Sequence, residues 1–274
     1  LCKKSYYDFF IEFWDTVVQD PLIENWHIEK ICNELQKVGE CVINRKPKDY
    51  DLLINISPGE SKSTVCTILF PAWLWANDPS VRILSCSYNS ELSIDHSKKS
   101  KDCILSEKYK RLFPHVEIRR DSSAKGKYET TAGGERKATS TGGLSTGKHA
   151  HIIIWDDPLN AQKSASEAEL KSADTFINDT LSSRKVDKLN TPTIGVMQRL
   201  AEDDPSGIWI KKMKEGRKKI RHLCVPATSN YYISPPEWKK HYTDGVMNPL
   251  RTGLDVLEEA KSDLGERKIA GLYG

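Results

Sequence analysis

The sequence predicts an α/β protein with a mostly parallel central β-sheet flanked by helices. The first observation behind this prediction is a series of five short apolar runs rich in β-branched residues. The second is that helical or irregular stretches separate these runs. Strands spaced in this way need crossover connections and form a parallel sheet buried on both faces. The predicted strands are residues 52–56, 81–85, 152–155, 193–197 and 220–225.

Hydrophobic periodicity predicts the elements between these strands. Residues 5–38 contain two patterns of apolar residues at three-to-four spacing, which predict two helices packed on an edge of the sheet. Residues 91–113 predict a long helix. The glycine-rich polar run 121–148 predicts hairpins and mobile loops rather than a core element. A last helical segment is predicted at 256–270.

Composition and charge exclude several classes of protein. The apolar fraction of 38% and the charged fraction of 29% are ordinary for a globular protein. No stretch approaches the roughly 18 apolar residues of a membrane span, so we expect no membrane association. A net charge of +3 is not the footprint of a dedicated nucleic-acid module. One basic run, 211–221, fits either a solvated helix face or a patch that contacts phosphates. Seven cysteines without a CxxC pair indicate a reducing, cytoplasmic setting without structural zinc.

A candidate phosphate loop follows the first predicted strand. Its order of strand, tight loop, Lys-Ser and helix points backbone N–H groups and a helix N-terminus at a phosphate. Lys62 would contact the β- and γ-phosphates of a nucleotide, and the Ser63 hydroxyl would ligate Mg²⁺. The common pattern G-x-x-x-x-G-K-[ST] is incomplete because Ile56 and Ser61 replace two glycines, so a turn capped by Ser is the alternative. The predicted loop comprises Ser57, Pro58, Gly59, Glu60, Ser61, Lys62, Ser63 and Thr64.

Paired aspartates follow the third predicted strand. Asp156 and Asp157 come directly after the buried run 152–155, so they lie at the carboxyl edge of the sheet, beside the phosphate loop. There Asp156 would bind Mg²⁺, in part through water, and Asp157 would orient and deprotonate an attacking water. The alternative is two solvated aspartates that begin a turn before Pro158. The two motifs in this order favour a nucleotide site.

Several separated segments together resemble the large terminases of tailed bacteriophages, from about Trp26 to the last residue. Each segment is modest alone, but they occur in the family's order. They are the phosphate loop followed by Phe70-Pro71-Ala72-Trp73, then Thr131-Ala132-Gly133-Gly134-Glu135-Arg136, Thr146-Gly147, Asp156-Asp157-Pro158, Gln198-Arg199-Leu200 and Glu202-Asp203-Asp204.

The resemblance implies an ATP-hydrolysing motor domain that uses ATP and Mg²⁺. Its expected fold is the RecA-like P-loop NTPase fold of the additional-strand, catalytic-acid (ASCE) class. Such subunits are thought to form a homo-oligomeric ring, here expected to be a pentamer, on the portal protein of the procapsid. They translocate double-stranded viral DNA, with a small terminase subunit as a further partner. The implied location is the cytoplasm of the infected host cell, outside the mature virion.

Two further roles follow from the same resemblance. By position, Gln198 matches the residue that senses the γ-phosphate and couples its loss to the grip on DNA, and Arg199 with Glu202 would set the geometry of that loop. The alternative for Gln198 is a polar side chain satisfied by the backbone. Trp26 lies where the family builds its adenine pocket, although a core position is the stronger alternative.

An arginine finger has no unique candidate in the sequence. Pro58 stands where some family members place an arginine. A finger supplied by a neighbouring subunit could be Arg136, Lys148 or Arg184, and the alternative for each is a surface cation. Such a finger supplies a rate factor on the order of 10³ or more.

The chain is expected to comprise an ATPase domain at 1–228 and a linker or subdomain at 229–274 that leads to an absent nuclease domain. Only 48 residues follow Pro226, too few for an RNase H-like nuclease, so we expect no DNA cleavage. Residues 264–274 resemble the family's linker. Two alternatives stay open. One is another P-loop DNA translocase or helicase-like ATPase, and the other is a degenerate nucleotide-binding module with little turnover.

Overall fold

A single eight-stranded sheet forms the centre of the molecule. The computed structural model describes residues 1–124, 126–143, 149–163 and 166–264. Within these residues the strand order is β3-β4-β5-β2-β6-β7-β1-β8. The strands are β1 (Asp51–Ile56), β2 (Arg82–Ser87), β3 (Ile118–Ala124), β4 (Lys127–Thr130), β5 (Glu135–Ser140), β6 (Ile152–Asp156), β7 (Thr193–Met197) and β8 (Ile220–Val225).

Helices flank this sheet in the described part of the chain. A π-helical turn at Thr64–Leu69 follows the phosphate loop and runs directly into α3. The α-helices are α1 (Tyr6–Phe13), α2 (Trp26–Ile43), α3 (Phe70–Asn77), α4 (Ser90–Leu105), α5 (Glu107–Leu112), α6 (Glu167–Thr175), α7 (Pro205–Lys214) and α8 (Leu254–Leu264).

The predicted mostly parallel α/β fold is confirmed. The five predicted strands are β1, β2, β6, β7 and β8, with ends shifted by at most two residues. Each pairs in parallel with its neighbours, and β5 adds a further parallel strand beside β2. β7 lies between β1 and β6. The strand that carries the phosphate loop is therefore separated from the acidic strand by one additional strand.

The glycine-rich run contributes more to the sheet than predicted. β3, β4 and β5 form antiparallel pairs at one end of the sheet, so the prediction of hairpins is correct. The expectation that this run lies outside the core is wrong, because Tyr128 and Arg136 are both fully buried. Gly133 has φ of 86° in the turn between β4 and β5, a backbone conformation that glycine adopts without strain.

The N-terminal helices pack with α3 in one helical layer, and Glu34 of α2 also pairs with Arg221 of the edge strand β8. Phe9 of α1 and Ile31 of α2 belong to the same apolar core as Leu52 of β1. At Gly39 a Cβ atom would lie 2.6 Å from the ring of Trp73. The close approach of α2 to α3 therefore requires glycine at this position.

The other face of the sheet has its own core. Successive residues of a strand point to opposite faces, and Leu53 and Ile153 accordingly join Phe176 and Trp209 in a second apolar cluster. The Trp155 ring meets Trp209 edge to face, with centroids 5.1 Å apart. The sheet is thus buried on both faces, as parallel pairing requires.

Two helix predictions need new bounds. The long helix expected at 91–113 is divided into α4 and α5 at Ser106, whose Oγ accepts a hydrogen bond from the Tyr109 N–H at 3.2 Å and caps α5. The helix expected at 256–270 is described only as α8, because residues from 265 onward lie outside the described part. None of the described helices is long and apolar enough to span a bilayer.

Candidate functional site

The phosphate loop begins where β1 ends and its backbone is sharply turned. Gly59 has φ of 81° and Ser61 has φ of 60°, both in the left-handed region. In the described part of the chain, the N–H groups of Gly59, Glu60 and Ser61 donate no hydrogen bond to other protein groups. Consecutive free N–H groups in such a turn, next to a helix N-terminus, form a concave binding site for an anion.

Lys62 and Asp157 meet at the carboxyl edge of the sheet. The Lys62 Nζ atom lies 3.0 Å from Asp157 Oδ2, and the two side chains are only 11% and 25% exposed. β7 separates their parent strands, so a loop residue from β1 reaches across to the end of β6. The sequence prediction that the phosphate loop and the acids share one edge is confirmed.

The backbone around Asp157 holds its carboxylate in place. Its φ of 44° is uncommon for a residue other than glycine. The Asp157 N–H donates to the Val196 carbonyl and the Tyr88 N–H donates to the Asp157 carbonyl, each at 2.9 Å. Two neighbouring strands thus fix the turn that aims this side chain at Lys62.

Burial raises the pKa of Asp157 to about 6, and the negative charge of Asp156 acts in the same direction. The charge of Lys62 and the N–H of Gln198, which donates to the carboxylate, oppose this rise. A carboxylate with a pKa near neutrality is better suited to accept a proton than an ordinary aspartate.

Asp156 is fully buried, and in the described part of the chain neither carboxylate oxygen has a hydrogen-bond partner. Nδ1 of His96 lies 3.5 Å from its Oδ2 atom. A buried carboxylate with free lone pairs is costly unless a ligand binds it. Its oxygen atoms are donors of the kind that suit Mg²⁺, and Ser63, predicted as the other ligand, directly precedes the π-helical turn that follows the loop.

The described residues form no cluster of three or more His, Cys, Asp or Glu side chains that could hold a metal.

Gln198 lies at the end of β7, between the phosphate loop and the acids. Its backbone N–H contacts the Asp157 carboxylate, and its side-chain Oε1 is buried without a hydrogen-bond partner in the described part of the chain. The Gln198 side chain therefore has an unused acceptor at the edge of the sheet where Lys62 and Asp157 meet.

Arg199 is bound within its own loop. Its Nε donates to Asp204 Oδ2 at 3.0 Å and its Nη2 to the Ala201 carbonyl at 2.9 Å. Glu202, which the sequence paired with Arg199, contributes only its carbonyl, at 3.2 Å, and its side chain is exposed. The acid that positions Arg199 is therefore Asp204, a role that the sequence motif alone did not indicate.

The candidates for an arginine finger have different positions. Arg136 is fully buried and donates from Nη2 to the Thr67 carbonyl at 2.8 Å, so the prediction that it reaches a neighbouring subunit is wrong. The Arg184 carbonyl accepts from the Ala150 N–H at 2.8 Å, beside the amino end of β6 and opposite the site. Lys148 lies outside the described residues, as do Thr146 and Gly147.

Trp26 packs against the chain that follows β8. Its Nε1–H donates to the Met247 carbonyl at 3.2 Å, and its ring stacks on His241 with centroids 5.1 Å apart. The structural alternative for Trp26 is therefore the better supported one.

The basic run 211–221 is partly neutralised by acids of the same chain. Lys218 Nζ lies 2.5 Å from Asp51 Oδ2, and Arg221 Nε lies 3.5 Å from Glu34 Oε2. Arg217 pairs with Glu215. These contacts support the reading of a structural surface over a dedicated phosphate-contacting patch.

His96 is a neighbour of Asp156 that the sequence did not indicate as a site residue, and Arg136, predicted as a possible finger for a neighbouring subunit, is a second neighbour of the same acid. Both are buried, His96 on α4 and Arg136 on β5, and the charge of Asp156 acts on both. The available signal was weak, since His96 lies among serines and lysines on a predicted helix.

The fold and the edge geometry define an α/β protein of the phosphate-loop class in which an additional strand separates the loop from the acids. The chain matches no protein-family model and no curated protein. Comparison with solved structures gives similar phage proteins. The large terminase of bacteriophage HK97 matches with a TM-score of 0.58 and 17% identity, over 98% of this chain and 55% of that chain. The large terminase of a thermophilic bacteriophage, solved in complex with ADP, gives a TM-score of 0.49 and 11% identity, over 88% of this chain and 52% of that one.

The chain thus has the fold of a phage large terminase and spans about half the length of the HK97 protein. The resemblance seen in the sequence motifs is confirmed at the level of the fold.

Proposed function

We propose that this chain is the ATPase motor domain of a phage large terminase, which couples Mg·ATP hydrolysis to the movement of double-stranded DNA into a procapsid. The observation that carries the proposal is the contact of Lys62 Nζ with Asp157 Oδ2 at 3.0 Å. It supports the proposal because a loop lysine meets the acidic end of a strand at one edge of a sheet whose fold is similar to that of the HK97 large terminase.

Each residue of the site then has a role. The free N–H groups of the loop and the Lys62 ammonium bind the β- and γ-phosphates. Ser63 and Asp156 hold Mg²⁺, which supplies charge neutralisation at those phosphates when it is bound. Asp157 orients the attacking water and accepts its proton. Gln198, whose backbone contacts Asp157, senses the γ-phosphate through its free amide oxygen.

Nucleotide binding exchanges one ion pair for another. In the structure Lys62 is paired with Asp157. When phosphates bind the loop, they compete for the same ammonium group, and the Asp157 carboxylate is released. The charge of Lys62 lowers the pKa of Asp157 while the pair is intact, so loss of this partner makes the carboxylate a stronger base.

The proposal includes the partners expected from the family. The subunits would form a ring, with five copies expected, on the portal protein, and a small terminase subunit would present viral DNA in the cytoplasm of the host. The remaining candidates for a finger that acts on a neighbouring subunit are Arg184 and Lys148.

The test is ATP binding and hydrolysis, with and without DNA, by this chain and its variants. Lys62→Ala should abolish hydrolysis and weaken ATP binding, because the phosphates lose their main cation. Asp157→Asn should still bind ATP and hydrolyse it at least about 100-fold more slowly, in line with the contribution of a general base. Lys98→Ala, an exposed lysine on α4, is the matched control and should behave as the parent chain. Hydrolysis by Asp157→Asn at the parental rate would show that Asp157 is not the base.

A degenerate nucleotide-binding module is the second candidate function. The observation that favours it is the replacement of two loop glycines by Ile56 and Ser61. Under this alternative the parent chain binds ATP, and Lys62→Ala weakens that binding. The parent chain shows no ATP hydrolysis, even with DNA and portal protein added.

A further inference from the structure

The phosphate loop is held from outside by a short segment near the end of the described chain. Three side chains of this segment contact the loop, and we refer to them together as the clamp: Asn248, Arg251 and Thr252. They lie roughly 190 residues away from the loop in sequence.

Arg251 supports the part of the loop where the glycine pattern fails. Its Nη1 atom donates to the Gly59 carbonyl at 2.8 Å and lies 3.0 Å from the Ser61 hydroxyl. Ser61 occupies a glycine position of the common pattern and has φ of 60°, a conformation that L residues rarely adopt. Glycine would adopt it freely but offers no side-chain acceptor. The Ser61 hydroxyl accepts the hydrogen bond that a glycine could not.

Glu60 anchors the other side of the loop. Its carboxylate is buried and accepts from Asn248 Nδ2 at 2.8 Å and from Thr252 Oγ1 at 2.5 Å. Asn248 and Thr252 are themselves buried. A buried carboxylate needs hydrogen-bond donors to offset its lost hydration, and Asn248 and Thr252 supply two such donors.

The clamp leaves the binding face of the loop free. Arg251, Asn248 and Thr252 use only acceptors of the loop: one carbonyl, one hydroxyl and one carboxylate. The N–H groups of Gly59, Glu60 and Ser61 stay without protein acceptors in the described part of the chain. The contacts therefore fix the shape of the loop without competing for its anion.

We propose that Arg251, Asn248 and Thr252 are positioning residues that hold the phosphate loop in its nucleotide-binding shape and replace the missing glycine at Ser61. The inference rests on the proposed function, because the ligand that the loop would bind is a nucleoside triphosphate. The clamp acts through the loop and does not touch the phosphates.

The first measurement needs no nucleotide. Hydrogen–deuterium exchange of the peptide that covers 57–69, whose protected amides include the Val65 N–H that donates to the Ser61 carbonyl at 3.0 Å, should be faster by about ten-fold in Arg251→Gln and in Thr252→Val than in the parent chain, since each variant removes one or two bonds that hold the loop. Thr252→Ser keeps the hydroxyl and should retain the parental rate. Arg217→Gln, which breaks the surface ion pair of Arg217 with Glu215, is the control and should also retain the parental rate. Unchanged exchange in Arg251→Gln and Thr252→Val would overturn the proposal.

The second measurement is calorimetric binding of ATPγS with Mg²⁺. Arg251→Gln should bind about ten-fold more weakly, with kcat for ATP changed by less than about three-fold. Ser61→Gly introduced into Arg251→Gln should restore binding to within about three-fold of the parent, because glycine adopts the required φ without support. Thermal unfolding checks that each variant is folded.

The outcomes separate the two proposals. Faster loop exchange with unchanged ATPγS affinity would show that the clamp does not position the loop for a nucleotide. A loss of kcat on the order of 10³ with affinity retained would make Arg251 a group that acts on the phosphates, which also contradicts the inference. A parent chain that binds no nucleotide at all, with intact loop protection, would refute the proposed function itself.

Discussion

Arg136 combines a positive charge with complete burial. Only its Nη2 atom has an acceptor in the described part of the chain, the Thr67 carbonyl, and its Nε and Nη1 atoms have none there. Burial lowers the pKa of the guanidinium, while the charge of Asp156 opposes that change. Its charge balances a buried acid, so its role is structural and electrostatic rather than that of a group presented to another subunit.

Arg136→Ala should lower the free energy of unfolding by about 3 kcal/mol or more, because it leaves a cavity and removes a cation that balances a buried carboxylate. Arg184→Ala, with a partly exposed side chain, should change it by less than about 1 kcal/mol. Urea unfolding of both variants tests this difference. Equal midpoints for the parent chain and Arg136→Ala would contradict the structural role.

Asp204 connects two elements at the scale of secondary structure. Its Oδ1 accepts from the Gly207 N–H at 2.8 Å and caps α7, while its Oδ2 pairs with Arg199 and accepts from the Leu200 N–H at 2.8 Å. One carboxylate thus fixes both the start of α7 and the loop that follows β7. The geometry around Gln198 depends on this link.

Asp204→Ala should destabilise the chain by about 2 kcal/mol, from the lost helix cap and the lost hydrogen bonds to Arg199. Under the proposed function it should also reduce ATP turnover more than ATP binding, since the loop after Gln198 loses its anchor. Asp203, the exposed neighbour of Asp204, serves as the control. Asp203→Ala should have little effect on stability or on ATP turnover. Chemical denaturation and steady-state kinetics measure both. A variant as stable as Asp203→Ala would exclude the capping role.

The sequence predicts elements well where the signal is local. The buried strands β1, β6 and β7 appear as continuous apolar runs because both of their faces are covered. β5 is different, since it presents charged and polar residues such as Glu135 and Arg136 even though it pairs with β2. A polar strand in a glycine-rich region cannot be told from a loop by periodicity, so its place in the sheet was not predicted.

The sequence also predicts only part of the candidate site, because some of its contacts join residues that are distant in the chain. The meeting of Lys62 with Asp157 was predictable because the carboxyl ends of parallel strands share one edge. The contact of Arg251 with Ser61 was not, because no local pattern connects residues so far apart in the chain. Likewise, the burial of Arg136 depends on the helices packed above it. Contacts of this kind follow from tertiary packing alone.

Two buried histidines make the stability of the whole molecule depend on pH. Burial lowers the pKa of His27 to about 4, and burial, with the charges of Arg199 and Lys214, lowers the pKa of His222 to about 4. The ordinary histidine pKa, which applies to the unfolded chain, is 6.5. Between pH 6.5 and 4 the unfolded state therefore binds more protons than the folded state, so acidification through this window destabilises the fold.

His222→Gln should reduce the loss of stability between about pH 6.5 and 4, by an amount on the order of 3 kcal/mol for a fully shifted group. The glutamine amide can keep the contact with Asn55, whose Oδ1 lies 2.8 Å from His222 Nε2. His149→Gln, at an exposed position, is the control. Denaturant unfolding at several pH values gives the slopes. If His222→Gln and His149→Gln show the same slope, the buried imidazole is not the source of the pH dependence.

The central position of β7 restricts where motion can occur. β7 is hydrogen-bonded along both of its sides, to β1 and to β6. Sliding this strand along its axis would break the backbone hydrogen bonds to both neighbouring strands at once, which makes such a movement unfavourable. The chain after Met197 no longer takes part in the strand pairing with β1 and β6. It leads to Asp204, which caps α7. Under the proposed function, a change in nucleotide state would therefore leave the strands in register and reach the far side of the domain through displacement of that helix.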